Sequence, residues 1–400
     1  MLVAHLDADC FYVSAERVRD SFLAAKPVGV LGNQGACVIA KSYEMKATGV
    51  KTGEPIWEAV KKCPEGVYLK RDFRWYEVIS KEMLSIVREF SPLVEYYSID
   101  EFFLAVDSAP QPFAFGIQRQ ILQRVGVPVT IGIARTKTLA KLVSDNAKPF
   151  GALALIGREA EEELLASRPV SDITGIAGRS AAKLSPHGIK TCLDFARARP
   201  SLIRSILTVT GERLCYELNG ERCLPLLTTR SPHKNISRGG SIGKVSDDPD
   251  VIWAWVVRNT ERLIEALEFY GMVAGKLLVW FEYKHGPIRT AAVSMGAPTA
   301  RFDLLTDAIR FAWKSLYLPG APLYRMHLIA ERLQYREKSQ LGLFDPPPER
   351  DRAIKAIKQD VNGRLGRFAL RSGATLPLGE IYADDAHSYD ICDVYGKTCF

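Results

Sequence analysis

The 400-residue chain carries eight cysteines, yet no two are spaced as Cys-x-x-Cys. Thiols scattered in this way give neither a zinc-ligand signature nor a disulfide framework, and they read as reduced, mostly buried side chains. No uninterrupted apolar run reaches the ~18–20 residues that a membrane span needs, so no membrane partner is expected. Met1 to Leu6 lack the basic start and apolar core of a secretion signal, which points to the cytoplasm. Charge of one sign is not in large excess: the formal net charge is +7. That balance permits a nucleic-acid partner without demanding one. The length allows two to four domains, and the apolar fraction of 47% is ordinary for a globular chain.

What is present is acid in unusual places. Two strand-like runs, Leu93 to Tyr97 and Phe102 to Val106, flank the adjacent pair Asp100-Glu101. Their length and their β-branched and aromatic content favour strands over helices. Neighbouring side chains of a straight strand point to opposite faces. Asp100 and Glu101 therefore serve one site only at a turn or bulge, which puts them at the tip of a β-hairpin. Taken alone, that tip is either solvated or a ligand for a divalent metal, because burying an unpaired carboxylate is costly. The N-terminal run Leu2 to Leu6 reads as a short strand leading into Asp7-Ala8-Asp9-Cys10-Phe11-Tyr12. If that strand lies beside the hairpin, three carboxylates converge. Such a set suits magnesium, which prefers hard oxygen ligands and keeps positions for phosphates, and points to phosphoryl or nucleotidyl transfer.

The remaining pattern is α+β and multidomain. Residues 11–70 read as an insertion with short helices and frequent turns. An amphipathic helix over Tyr76–Phe90, the hairpin, a helix near Phe113–Arg124 and a strand over Val127–Ile133 follow. With the first strand this gives β-α-β-β-α-β, a ferredoxin-like order. A further helix is expected over Thr136–Ala147, ending near Lys148-Pro149. Residues 158–224 read as short helices containing a helix–hairpin–helix, Ile173 to Gly178 and His187 to Thr191. Gly175 and Gly178 let backbone N–H groups approach a phosphate, and Lys183 adds charge. Residues 225–236 read as a linker, after which the β-α-β-β-α-β order recurs over 237–338. Between residues 237 and 339 there are 14 basic and 11 acidic residues, so any nucleic-acid grip there rests on sidedness. Next, Ser339-Gln340-Leu341-Gly342-Leu343-Phe344-Asp345 is an apolar peptide before three prolines, costly in solvent unless it docks. A helix is expected from Arg350 to Val361, and residues 389–400 show no period.

Three stretches carry a family resemblance: Leu6 to Tyr12, Tyr97-Ser98-Ile99-Asp100-Glu101, and Gly132-Ile133-Ala134-Arg135-Thr136-Lys137-Thr138-Leu139-Ala140-Lys141. In this order they resemble the Y-family (translesion) DNA polymerases, over roughly residues 1–345. Cys37 to Lys41 and Thr136 to Lys141 are similar to the branch of the catalytic subunit of bacterial DNA polymerase V (UmuC-like). The resemblance implies a right-hand polymerase. The ferredoxin-like palm spans 1–10 and 71–157, with fingers inserted at 11–70. A small thumb occupies 158–224, a linker 225–236 and a little finger 237–338. The clamp-binding peptide and tail follow over 339–400.

The same resemblance implies site roles. Two Mg2+ ions would be held by Asp7, the Ala8 carbonyl, Asp100 and Glu101, while Asp9 supports the loop. Tyr12 would be the steric gate against a ribose 2′-hydroxyl. Phe11, Tyr43, Lys46 and Lys148 would hold the incoming dNTP, with Lys137 and Lys141 near it or the DNA. The family more often has Arg at the position of Lys46, and a lysine lacks the bidentate fork. Small residues at Gly35, Ala36 and Ala40 suit an open pocket. Primer–template DNA would meet Gly175, Gly178 and Lys183 in the thumb, and Arg238, Lys244, Lys276 and Arg289 in the little finger. Gln340, Leu341, Leu343 and Phe344 would dock on the sliding clamp. A UmuD-like dimer and a recombinase filament are further partners of that branch. The implied activity is low-fidelity synthesis past damaged bases in a bacterial cytoplasm, since no further acid cluster suggests a proofreading nuclease. The rivals are a catalytically silent clamp-bound adaptor, which would lack the carboxylates, and a nucleotidyl cyclase, which would lack the hairpin thumb and the clamp peptide.

Overall fold

The structure is a computed structural model and describes residues 1–32, 37–107, 110–229, 232–338 and 349–382. Gly35, Ala36 and the peptide from Gln340 to Phe344 lie outside the described residues. The chain divides near residue 230 into two compact units.

The first unit begins with β1 (Leu2–Ala8), followed by α1 (Phe11–Arg19), β2 (Val28–Leu31), β3 (Val38–Lys41), α2 (Tyr43–Ala47), α3 (Ile56–Lys62) and β4 (Val67–Lys70). Next come α4 (Phe73–Phe90), β5 (Val94–Tyr96), β6 (Glu101–Val106), α5 (Pro110–Val125), β7 (Val129–Ala134), α6 (Lys137–Ala147) and β8 (Ala152–Ala154). The main sheet has the order β5-β6-β1-β7-β8, so β1 lies at its centre between antiparallel β6 and β7. Alternation along β1 sets its two faces. Val3, His5 and Asp7 share the face under α6, where the His5 ring meets Ser144 at 2.6 Å, and Val3 joins the α6 core. The expected β-α-β-β-α-β order is present, and β8 adds a parallel edge strand beside β7.

The insertion is not only short helices. β3, β2 and β4 form a separate three-stranded sheet around Val38, Met45 and Cys63. Strands of four residues are too short for periodicity to reveal. Helices α7 (Arg158–Ser167), α8 (Gly178–Leu184), α9 (Cys192–Arg197) and α10 (Pro200–Leu218) share a core with α6. Buried Glu217 ties them to it. Its carboxylate accepts from the Thr138 amide at the start of α6 and from the amides of Cys223 and Leu224.

The second unit holds β9 (Ile236–Ser246), α11 (Pro249–Phe269), β10 (Met272–Tyr283), β11 (Ile288–Thr299), α12 (Phe302–Leu316) and β12 (Leu323–Tyr335). These form an antiparallel sheet of order β11-β10-β12-β9, and α11 and α12 share the core of one face. Beyond them, α13 (Glu349–Leu365) and the short α14 (Gly379–Tyr382) belong to the same unit. The sequence left this tail open, and the structure folds it back along α11. Lys355 pairs with Glu268 at 2.6 Å, Lys358 with Glu261 at 2.5 Å, and Arg367 with Glu265. Leu378 and Ile381 then enter the apolar core. No helix among the described residues is long and apolar enough to cross a membrane.

Glu261 is buried and also accepts from the Ser372 amide at 3.1 Å. Glu261→Ala leaves the Lys358 ammonium and that amide without their partner, a cost of roughly 2–3 kcal/mol. The expected result is a lower melting temperature and faster tryptic cleavage within residues 349–382. Unchanged protease resistance would show that the strap does not depend on this pair.

Candidate active site

The site is built where β1 stops. Asp7 stands opposite Glu101 of β6 on one side and Thr130 of β7 on the other. Directly opposed residues of an antiparallel pair put their side chains on the same face. The sequence-predicted hairpin is present: β5 and β6 pair, Asp100 lies in the connecting turn, and Glu101 opens β6. The Ala8 amide donates to the Asp100 carbonyl at 2.9 Å, clamping the turn against the end of β1. The Ser98 hydroxyl donates to the Asp100 carboxylate. Asp7, Ala8, Asp100 and Glu101 are therefore gathered at one point of the sheet.

Two lysines, one on α6 and one just past its end, hold Glu101 and Asp7. Lys141 pairs with Glu101. Lys148, just past the end of α6, pairs with Asp7 at 2.8 Å and with Asp145 at 3.2 Å. Burial pushes the Asp7 carboxyl up to about 7; Lys148 opposes the rise, while Glu101 and Asp100 add to it. Lys148 is held above the usual lysine range: its burial works against its charge, but the Asp7 and Asp145 carboxylates outweigh that. Beneath them lies His5, fully buried, with Nε2 at 4.0 Å from Glu101 and without a hydrogen-bond partner. Burial holds its pKa well below the usual value, and Lys141, Lys148 and Lys137 lower it further. His5 was not singled out from sequence. Its only signal was its position two residues before Asp7, which puts both on one face.

Asp9 plays the loop-supporting part expected of it. Its carboxylate accepts from Thr130 at 2.9 Å, from the Phe150 amide at 2.8 Å and from the Tyr43 hydroxyl at 3.1 Å. It joins β1, β7, the turn after Lys148 and α2. Cys10 follows in the left-handed region (φ 48°), which turns the chain sharply into α1. Phe11 is buried, whereas Tyr12 is half-buried and stacks on Tyr76 at 4.6 Å, edge-on to Phe73. Its phenol is pushed up to about 12 by burial, with Asp100 adding to the shift. Tyr43 and Lys46 share an exposed face of α2, with the ammonium 4.2 Å from the ring centre. Ala40 is half-buried on β3.

Lys137 is buried in a pair with Glu95 at 2.6 Å, and Glu95 also accepts the Leu227 amide. That pairing gives it a packing role inside the fold. Around α8, Ile173 and Ile176 are buried while Gly175, Gly178 and Lys183 are exposed, and Gly175 has φ 96°. Its backbone conformation is one that side-chain-bearing residues rarely adopt.

One little-finger expectation, Arg238, is corrected. Arg238 lies on the same strand face as Ile236 and Ile242, is only 2% exposed and donates to the Ser237 carbonyl. Alternation turns it towards the helices, not towards a ligand. Arg289 opposes core residue Phe281 and donates to the Ser315 carbonyl at 3.0 Å, near the end of α12. Lys244 is exposed. Lys276 lies on the other face with Trp280, paired with Glu331 at 2.7 Å.

No group of three His, Cys, Asp or Glu side chains among the described residues converges closely enough to hold a metal. The residue types nevertheless suit a hard divalent cation: Asp7, Asp100 and Glu101 offer carboxylate oxygens around the end of β1, and burial, with the other two acids adding to it, disfavours charge on Asp7.

Residues 6–145 match the model of the impB/mucB/samB family, and residues 233–343 match that family's C-terminal domain. Protein SamB of Salmonella typhimurium is 31% identical over 385 residues, covering 90% of each chain. DNA polymerase IV 1 of Bacillus subtilis is 29% identical over 392 residues, covering 95% of this chain and 94% of its own. A solved Y-family DNA polymerase chimera of Dbh and Dpo4 matches with a TM-score of 0.71 at 21% identity, over 83% of this chain and 99% of its own. The chain belongs to the impB/mucB/samB family of Y-family DNA polymerases. Its multidomain α+β fold is that of those enzymes.

The raised Asp7 pKa fixes a sign for stability. A carboxyl that titrates near 7 when folded and near 3.8 when unfolded binds its proton more tightly in the fold. Its contribution is full below about 4 and is lost as pH rises through 7. In metal-free buffer Asp7→Asn is expected to gain stability relative to the parent as pH rises from 5 to 8. Thermal denaturation at both pH values checks this, and a pH-independent gap would contradict it.

Proposed function

We propose that this polymerase copies a DNA template past damaged bases with low fidelity, by nucleotidyl transfer at Asp7, Asp100 and Glu101. The observation that carries the reading is the opposition of Asp7 to Glu101 across β1 and β6, with Asp100 clamped beside them. When bound there, with the Ala8 carbonyl as a further ligand, two Mg2+ ions would lower the pKa of the primer 3′-hydroxyl and neutralise the departing pyrophosphate. The chain's own residues do the rest. Tyr43, Lys46 and Lys148 offer hydrogen bonds and positive charge to a triphosphate, and Phe11 and Tyr12 floor the sugar. The stacking of Tyr12 on Tyr76 keeps its ring from yielding to a 2′-hydroxyl. Low fidelity follows from a pocket whose cover, at Ala40, is small.

Residues 1–10 and 71–157 act as palm, 11–70 as fingers, 158–224 as thumb and 237–338 as little finger. Primer–template DNA meets the exposed turn at Gly175, Gly178 and Lys183, whose backbone amides suit phosphates without reading sequence. Lys244, Lys276 and Arg289 remain the little-finger candidates. The peptide Gln340, Leu341, Leu343 and Phe344 recruits the enzyme to a sliding clamp, which raises its effective concentration at the primer end. Relatives named DNA polymerase IV and relatives named SamB and ImpB both match. A place in the polymerase V branch, with a UmuD-like dimer and a recombinase filament as partners, rests on the short segments Cys37 to Lys41 and Thr136 to Lys141. A cytoplasmic location in bacteria accords with this work.

Primer extension with Mg2+ and dNTPs tests the reading. Asp100→Ala is expected to lose at least ~1000-fold in rate. Tyr12→Ala is expected to keep dNTP extension and to gain ribonucleotide insertion by roughly 100-fold. Extension that survives Asp100→Ala would remove the carboxylate mechanism. A silent wild type, with and without clamp, would favour the adaptor.

A further inference from the structure

The acids of the site are not waiting bare. Lys141 pairs with Glu101, and Lys148 pairs with Asp7. His5 lies buried beneath the same spot. Its Nδ1 is 2.6 Å from the Ser144 hydroxyl, which donates to the Lys141 carbonyl. Its Nε2 lies 4.0 Å from Glu101 with no hydrogen-bond partner. The ammonium groups of α6 and the turn after it are therefore the cations that answer Glu101 and Asp7.

We infer that Lys141 and Lys148 are positioning residues that occupy the carboxylate oxygens in the nucleotide-free enzyme, and that the incoming triphosphate draws them off and so opens the site to divalent metal. The inference deepens the metal-site reading above and rests on it. A lysine on a carboxylate oxygen excludes a cation from that lone pair and repels one placed beside it. Both side chains are long, flexible and partly exposed, so each can swing while its Cα stays in place. Lys148 already touches Asp145 at 3.2 Å, so leaving Asp7 does not strand its charge. A triphosphate offers the two ammonium groups several anionic oxygens together. Metal and nucleotide therefore bind with positive coupling, and the coupling is reciprocal. The same lysines that guard the acids in the free protein become the neutralising charges of the loaded one.

Mn2+ binding, read as the loss of the free-ion electron paramagnetic resonance signal, tests this on the full chain. The comparison is wild type, Lys141→Gln and Asp100→Asn, each with and without a saturating dNTP analogue whose α,β-bridge is methylene. Circular dichroism confirms folding. Lys141→Gln is expected to bind Mn2+ about 10-fold more tightly than wild type without nucleotide, and no more tightly with it. A gain of equal size in both states would reflect removal of a positive charge alone and would overturn the exchange. No gain in either state would overturn it too. Both failures leave the metal site standing, provided that Asp100→Asn weakens Mn2+ binding. Mn2+ binding unaffected by Asp100→Asn would instead overturn the metal-site reading and this inference together.

Discussion

The antiparallel pairing of β1 with β6 is the constraint on which the site depends. One register sets Asp7 across from Glu101, and the Ala8 amide bond to the Asp100 carbonyl holds the turn at the same level. A slip of one residue would send Asp7 to the opposite face of the sheet. The register is held by its apolar partners, since Leu6, Ala4, Phe102 and Leu104 are fully buried on the other side. The charged end of the strand is thus bought with the packing of its middle. Asp9 extends the same logic outwards, because its carboxylate joins four segments at once.

Three like charges at one point are a standing cost, and the surroundings offset it in two ways. Lysines neutralise Asp7 and Glu101, while the Ser98 hydroxyl serves Asp100. Burial, with Glu101 and Asp100 adding to it, still raises the Asp7 carboxyl, and the buried His5 beneath stays neutral because burial and the lysines hold its pKa down. In the proposed mechanism the same lysines also serve the triphosphate, so the site would be balanced between its own positive charge and that of bound metal.

Much of this was legible in the chain. The hairpin tip followed from two strand-like runs flanking Asp100-Glu101, and the central strand from Leu2 to Leu6, because alternation and burial act over a few residues. Tyr43 and Lys46, which the resemblance named together, do share one face of α2. The small sheet of the insertion was missed because its four-residue strands carry no period. Arg238 was misplaced because an arginine on a strand has no fixed side until the register is known. Alternation put Arg238 in line with Ile236. The docking of the tail was hidden in the charge pattern of α11, where Glu261, Glu265 and Glu268 find partners nearly a hundred residues later. Lys137 shows the converse, a basic residue in a family motif that packs against Glu95 inside the fold.

The central claim is that Asp7, Asp100 and Glu101 form one metal-binding point served by the lysines of α6 and the turn that follows it. Anomalous diffraction from a crystal of the protein with primer–template DNA, an incoming nucleotide and Mn2+ tests it most directly. The account requires manganese peaks within ligand distance of all three carboxylates, with Lys141 and Lys148 turned from the acids to the phosphates. Manganese bound elsewhere, or bound with both lysines still on Glu101 and Asp7, would contradict it.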